Sequence, residues 1–168
     1  MVLHRAGPKG LGLAYREGLD LALRAGFEYI FTMDSDLSHD PRALPALRDL
    51  ARERGAAVGS RYVRGGGATD WCCMRRLNSY AVNLLTRLIL GLRVRDASTG
   101  FRCFRRDVLE RVEPVTMTGR GYSIMEELSY RTERVGCRSG EHPIIFVGRK
   151  MGVSKTSIRQ GLGVLEML

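Results

Sequence analysis

No stretch of about 18 consecutive apolar residues occurs in this 168-residue sequence, so no segment reads as a membrane span. The opening Met1-Val2-Leu3-His4-Arg5 has no long apolar core of the secretory kind, and the chain is expected to be cytoplasmic or peripheral to a membrane. Cysteine is sparse. Cys72, Cys73, Cys103 and Cys137 make no C-x-x-C pair and no His stands at ligand spacing from them, which argues against a zinc site and against a disulfide framework. Repeats and low-complexity tracts are missing too. The longest irregular stretch surrounds Gly65-Gly66-Gly67 and is too short for a linker, so residues 1–168 read as one domain. Acid is in deficit, with 18 Asp and Glu against 27 Lys and Arg, and the net charge of +9 calls for an anionic partner. Nucleic acid, an acidic leaflet and a phosphorylated substrate would each answer it. An aromatic platform, a zinc finger and a clear helix-turn-helix are all lacking, which weakens the first.

What is present is a set of periodic segments. Gly10 to Ala25 reads as a helix stopped by Gly26, with Leu13, Leu19, Leu21 and Leu23 among its apolar positions. Tyr29-Ile30-Phe31-Thr32-Met33 reads as a short buried strand ending in Asp34-Ser35-Asp36. Asp40-Pro41 caps a helix carrying Leu44, Leu47 and Leu50 and ending at Gly55, and Ala56 to Ser60 follows as a second strand. Helix, strand, helix, strand with short connections is a βαβ pattern without its opening strand. It predicts a doubly wound α/β sheet with ligands at the carboxyl ends of its strands, where Asp34, Asp36 and Arg61 would meet. Later, Gly121 to Arg134 reads as a helix containing Glu126-Glu127, Pro143 to Val147 as a strand, and Ser154 to Leu168 as an amphipathic helix.

Between them lies a basic amphipathic helix near residues 75–92. Leu77, Ala81, Leu84, Leu85, Leu88 and Leu92 form an apolar stripe, and from Trp71 to Arg95 there are five arginines and no acid. Two readings fit: a helix packed on the core by its leucines with a solvated Arg face, and a helix lying on a membrane surface.

Asp34-Ser35-Asp36 carries the chemistry. Two carboxylates one residue apart at a strand end can present oxygens to one hard cation, and Mg²⁺ or Mn²⁺ held so can bridge a nucleotide sugar's diphosphate. Taken alone the pair is a weak signal, since acids in turns are commonly caps. Further residues give it company: Lys9-Gly10-Leu11-Gly12-Leu13-Ala14-Tyr15, the run Met33 to Pro41, Gly59-Ser60-Arg61-Tyr62-Val63, Gly65-Gly66-Gly67 with Trp71 and Arg75-Arg76, Asp96, Thr99-Gly100-Phe101-Arg102, Gly121-Tyr122 with Glu127, and Phe146 with Arg149, Gly152, Ser154 and Lys155. In this set the chain resembles the polyprenol-phosphate (dolichol-phosphate) mannosyltransferases, inverting enzymes of the GT-A fold.

That resemblance implies a GT-A, Rossmann-like, doubly wound mixed sheet and a reaction moving mannose from GDP-mannose onto a polyprenyl phosphate. It implies that Asp34 and Asp36, with Ser38, hold the metal; that Lys9 and Arg149 join them on the donor diphosphate; and that Arg61, Arg75, Ser79 and Lys155 receive the acceptor phosphate. Arg61 would act in catalysis beside the two aspartates, and Glu127 would contact the sugar or orient a basic residue. An acceptor phosphate is already anionic near neutral pH, so no general base is required. A lipid acceptor implies an anionic membrane surface as partner, on the cytoplasmic inner face. The family pattern opens with a strand ending in a Pro-x-x-Asn-Glu type turn and a second strand that seats the base, and neither lies in this sequence, so the sheet is expected to be incomplete at its N-terminus. A same-fold transferase using another sugar, such as glucose, is not excluded by residue types, and a donor screen separates it. A basic scaffold or nucleic-acid-binding domain would instead show salt-sensitive binding to random DNA with no response to metal and nucleotide sugar.

Overall fold

A computed structural model describes residues 4 and 7–148. Its first helix, α1 (Leu11–Arg24), leads to β1 (Tyr29–Thr32). Asp40 caps the turn Pro41–Ala43 by accepting from the Arg42 amide at 2.9 Å, and α2 (Leu44–Arg54) continues from it. Gly55, at φ 88, closes α2 in a conformation that costs a side chain strain and feeds directly into β2 (Ala56–Ser60). The helix Ser154 to Leu168 read in the sequence lies outside the described residues.

Downstream come β3 (Gly67–Ala68), α3 (Cys73–Leu90), β4 (Arg102–Arg105), α4 (Arg106–Val112), α5 (Ser123–Arg134), β5 (Gly140–Pro143) and β6 (Ile145–Phe146). The main sheet has the order β1-β4-β2-β5, and β3 pairs with β6 in a separate two-stranded ladder. Two sequence expectations change here. The strand read over Pro143 to Val147 divides at Ile144 between the two sheets, and β4, which the sequence reading did not contain, inserts between β1 and β2. It runs antiparallel to both, so β1 and β2 are parallel to each other but are not neighbours.

Register explains how the sheet buries both faces. Ile30 pairs with Phe104 and Phe104 with Ala56, and these three face a core completed by Leu19, Val108, Leu109, Ile124 and Leu128 from α1, α4 and α5. Phe31, Cys103 and Ala57, one residue along, face the opposite core with Leu47 and Ala51 of α2. Alternation at period two thus gives each face its own helices, the doubly wound arrangement. Full burial of a side chain such as Phe104 or Leu128 stabilises by roughly 1.5–3 kcal/mol.

The basic helix α3 stands apart from this packing. Its buried positions are Asn83, Thr86 and Leu90, whereas Met74, Leu77, Leu85 and Leu88 are exposed. The reading in which its leucines pack on the core is therefore corrected for those residues. No helix among the described residues is long and apolar enough to cross a membrane.

Candidate functional site

The parallel course of β1 and β2 puts their carboxyl ends on one sheet edge, and the antiparallel β4 brings its amino end to the same place. Three segments therefore converge: Asp34 to Ser38 after β1, Arg61 and Tyr62 after β2, and Asp96 to Phe101 before β4. Phe146 of β6 joins them through its ladder with β3.

Asp34 is half-buried, and its backbone N–H donates to His39 Nδ1 at 3.3 Å. His39 is buried, its ring stacked 4.9 Å from that of Phe101, and burial holds its pKa below the ordinary value, consistent with the neutral ring that an accepting Nδ1 requires. Gly100 is pinned beside this carboxylate by the Thr32 hydroxyl, which donates to its carbonyl at 2.7 Å. A Cβ at position 100 would lie 2.8 Å from Asp34 Oδ1 and 3.0 Å from the Tyr15 hydroxyl, so only glycine leaves that carboxylate its place. Burial, and then the neighbouring Asp34, push the Tyr15 hydroxyl up to about 12. Among the described residues the Asp34 carboxylate accepts no hydrogen bond. Asp36 Oδ1 accepts from the Ser38 backbone N–H at 3.1 Å and from the Ser38 hydroxyl.

An all-oxygen set of Asp34, Asp36 and Ser38, one carboxylate held without a hydrogen-bond donor, suits a hard divalent cation. No cluster of three or more His, Cys, Asp or Glu that could hold a metal ion occurs among the described residues.

Arg61 is held more firmly. Its Nε donates to Asp96 Oδ2 at 2.8 Å and its Nη2 to Asp96 Oδ1 at 2.7 Å, while Nη2 also reaches the Ser98 hydroxyl at 2.8 Å. The Asp96 carboxylate further accepts the Arg61 backbone N–H at 3.0 Å. Asp96 is fully buried; burial would raise its pKa, but the Arg61 charge outweighs that and leaves it lowered. The same pairing outweighs burial at Arg61 and keeps its guanidinium charged. Aromatic rings enclose that guanidinium, with centroids 5.2 Å away for Tyr62, 5.5 Å for Trp71 and 5.7 Å for Phe146. Trp71 also carries Arg75 over its ring at 4.6 Å, and the Tyr62 hydroxyl lies 2.7 Å from that of Ser79. Arg61, Arg75 and Ser79 thus share one neighbourhood.

The segment bearing Asp96 is fixed from below by Arg102. Its buried guanidinium donates to the carbonyls of Thr99 at 2.9 Å and Ala97 at 2.6 Å and to the Ser129 hydroxyl at 2.9 Å. Burial lowers this arginine to about 10. Glu141 completes the support, accepting from the backbone N–H groups of Arg95 and Asp96 at 2.9 and 3.2 Å.

Glu127 is committed to partners of its own. It is buried on α5, accepts from the Thr118 and Gly119 backbone at 3.0 and 2.6 Å, and pairs with Arg131 at 2.8 Å. Lys9 is exposed in the stretch before α1, and Arg149 and Lys155 lie outside the described residues. Sequence reasoning had given no role to Asp96, Gly100, Tyr15, His39 or Trp71. Asp96 did leave a signal, as the first acid after Asp70 beyond five arginines.

Comparison with known proteins follows the same outline. Residues 1–113 match the family model described as glycosyl transferase family 2. An undecaprenyl-phosphate mannosyltransferase of Micrococcus luteus is 38% identical over 156 residues, covering 93% of this chain and 64% of the relative. A polyprenol monophosphomannose synthase of Mycolicibacterium smegmatis is 40% identical over 158 residues, covering 93% of this chain and 59% of the relative. The chain therefore spans about three-fifths of the length of these relatives.

Proposed function

From a chain that belongs to glycosyl transferase family 2, we propose an enzyme that moves mannose from GDP-mannose onto the phosphate of a polyprenyl lipid, with inversion at the anomeric carbon. The observation that carries this reading is the shared sheet edge, with the Asp34 and Asp36 carboxylates after β1 and the aromatic-lined Arg61 after β2. The names of the two relatives support the acceptor class.

Asp34, Asp36 and Ser38 would hold Mg²⁺ or Mn²⁺, and Lys9 and Arg149 would add charge for the donor diphosphate. The bound cation supplies Lewis-acid neutralisation of the leaving diphosphate. Arg61, Arg75, Ser79 and Lys155 receive the acceptor phosphate, Arg61 being oriented for it by Asp96. That phosphate attacks as the anion it already is, so alignment and electrostatics replace a general base. Glu127 orients the 118–119 turn and Arg131 rather than contacting sugar, which its three partners favour. A lipid acceptor places the chain on an anionic membrane surface at the cytoplasmic inner face.

The test is transfer. With GDP-mannose, polyprenyl phosphate and Mn²⁺ or Mg²⁺ the chain should form polyprenyl phosphomannose, and Asp36→Asn should remove most of it while circular dichroism is unchanged. Transfer from UDP-glucose in place of GDP-mannose would reassign the donor, and full turnover in excess chelator would remove the metal.

A further inference from the structure

The carboxyl ends of α3 and α5 leave a cavity of about 390 Å³ between them and the turn into β5. It lies at the opposite end of β2 from the candidate site. Cys137, in its wall, donates to the Arg54 carbonyl at 3.2 Å, just before β2 begins, whereas Arg61 follows the end of that strand. The apolar part of the lining is the buried Leu90 and Cys137 with the half-buried Tyr130. Three exposed arginines, Arg93, Arg134 and Arg138, line it as well. None of them forms an ion pair among the described residues, whereas seven other arginines do. Glu133 is the one acid of the lining, and its Oε1 accepts from the backbone N–H groups of Arg93 and Val94 at 2.8 and 3.2 Å. Three guanidinium charges therefore meet a single carboxylate that already has partners. Basic residues at a helix end ordinarily serve its last carbonyls. Here other groups do so: the Arg87 carbonyl accepts from the Leu92 N–H at 2.9 Å, that of Thr132 from the Cys137 N–H at 3.1 Å, and that of Val135 from the Arg111 side chain at 3.0 Å.

We propose that this cavity is a second binding site, for a small phosphate ester whose phosphate is held by Arg93, Arg134 and Arg138 and whose flat apolar group lies against Leu90 and Tyr130. Its volume falls within the roughly 300–1,000 Å³ of small-molecule sites. Planar guanidinium forks match the oxygens of a phosphate, and a dianion neutralises the positive charge that Glu133 leaves in surplus. A wholly apolar ligand would cover those guanidiniums without giving them a partner, and a bare inorganic anion would make no use of the apolar wall. Entry is open. A Cβ at Gly91 or Gly136, both in the lining, would meet nothing within 4 Å.

The experiment is calorimetric titration of the full chain with phenyl phosphate at low salt, in excess chelator so that no cation bridges the anion to Asp34 and Asp36. Phenyl phosphate should bind, and inorganic phosphate should bind roughly tenfold or more weakly for want of the ring. The variant Arg134→Ala, Arg138→Ala should lose roughly tenfold or more in affinity for phenyl phosphate. Because both side chains are exposed, it should keep the wild-type circular dichroism and melting temperature. Arg138→Glu, in the turn after α5, should reproduce the loss without touching that helix. Wild-type protein that ignores phenyl phosphate at low salt would overturn the proposal, and so would equal affinities for the two anions. A loss of binding in Arg75→Ala that neither cavity variant reproduces would place the anion at the sheet edge and overturn it as well.

Discussion

The guanidinium of Arg61 and the carboxylate of Asp96 meet edge to edge, through two parallel hydrogen bonds of 2.8 and 2.7 Å, across 35 residues of sequence. Side-chain exposure is 10% for the arginine and nil for the aspartate, so neither charge can turn to water if the other is lost. Asp96→Ala should therefore cost about 3–5 kcal/mol, read from the denaturant midpoint, because it strands a buried cation. The folded Asp96 carboxyl has a lowered pKa, so the stability it gives is present above the ordinary carboxylate range and is lost as pH falls through the folded value. In the Ala variant that acid-side loss should be smaller.

Arg75 is exposed, with its guanidinium over the Trp71 ring at 4.6 Å. Replacing it with Ala should leave the melting temperature close to wild type and raise the acceptor KM by the equivalent of about 1.5–3 kcal/mol, with little change in the donor KM. A larger effect on the donor would assign this arginine to the diphosphate.

Gly100→Ala tests the seat of Asp34. The added methyl would stand 2.8 Å from Asp34 Oδ1, so the carboxylate must swing away. Mn²⁺ affinity, measured by titration without substrates, should fall by about 10–100-fold, the range found when support around a metal ligand is altered. Unchanged Mn²⁺ binding would detach Asp34 from the cation.

Glu126 should give the opposite pH trend to Asp96. It is buried on α5, its Oε2 has no hydrogen-bond partner among the described residues, and burial, only partly opposed by Arg102, raises it to about 7 from 4.5. Between those two values the unfolded chain has released a proton that the folded chain still holds, so stability falls as pH rises and levels off above about 7. The total is about 3 kcal/mol at 1.36 kcal/mol per pH unit. Glu126→Gln should flatten this slope. Equal pH profiles for the two proteins would show that the carboxyl reaches water.

The parts of the fold legible in the sequence were those with a period. Leu44, Leu47 and Leu50 announced α2, and Tyr29 to Thr32 announced β1, because apolar spacing follows from the geometry of the element. β4 was illegible for a physical reason: Arg102-Cys103-Phe104-Arg105 has an arginine at each end, and nothing local reveals that carbonyls 97 and 99 and Ser129 await the first. The stripe of α3 was visible, but periodicity says which residues share a face and not which way it looks. That direction was decided by Asn83 and its two backbone partners after the helix ends. At the candidate site the aspartates and Arg61 stood out by type and place. Asp96 and Gly100 act only through contacts made 35 and 66 positions away, at Arg61 and Asp34, which no local pattern encodes.

The placement of β4 has a kinetic consequence. Among the described residues, β1 and β2 are each made early, yet neither pairs with a strand of the main sheet until residues 102–105 arrive between them. The Thr32 to Gly100 hydrogen bond closes a loop of 68 residues, so the entropy of a long closure must be met before any strand pairing there rewards it. On the ribosome, the edge bearing Asp34 and Arg61 cannot assemble while β4 is still inside the exit tunnel. Until then β1 and β2 lack the strand that joins them, and an unpaired strand edge is open to association with another chain.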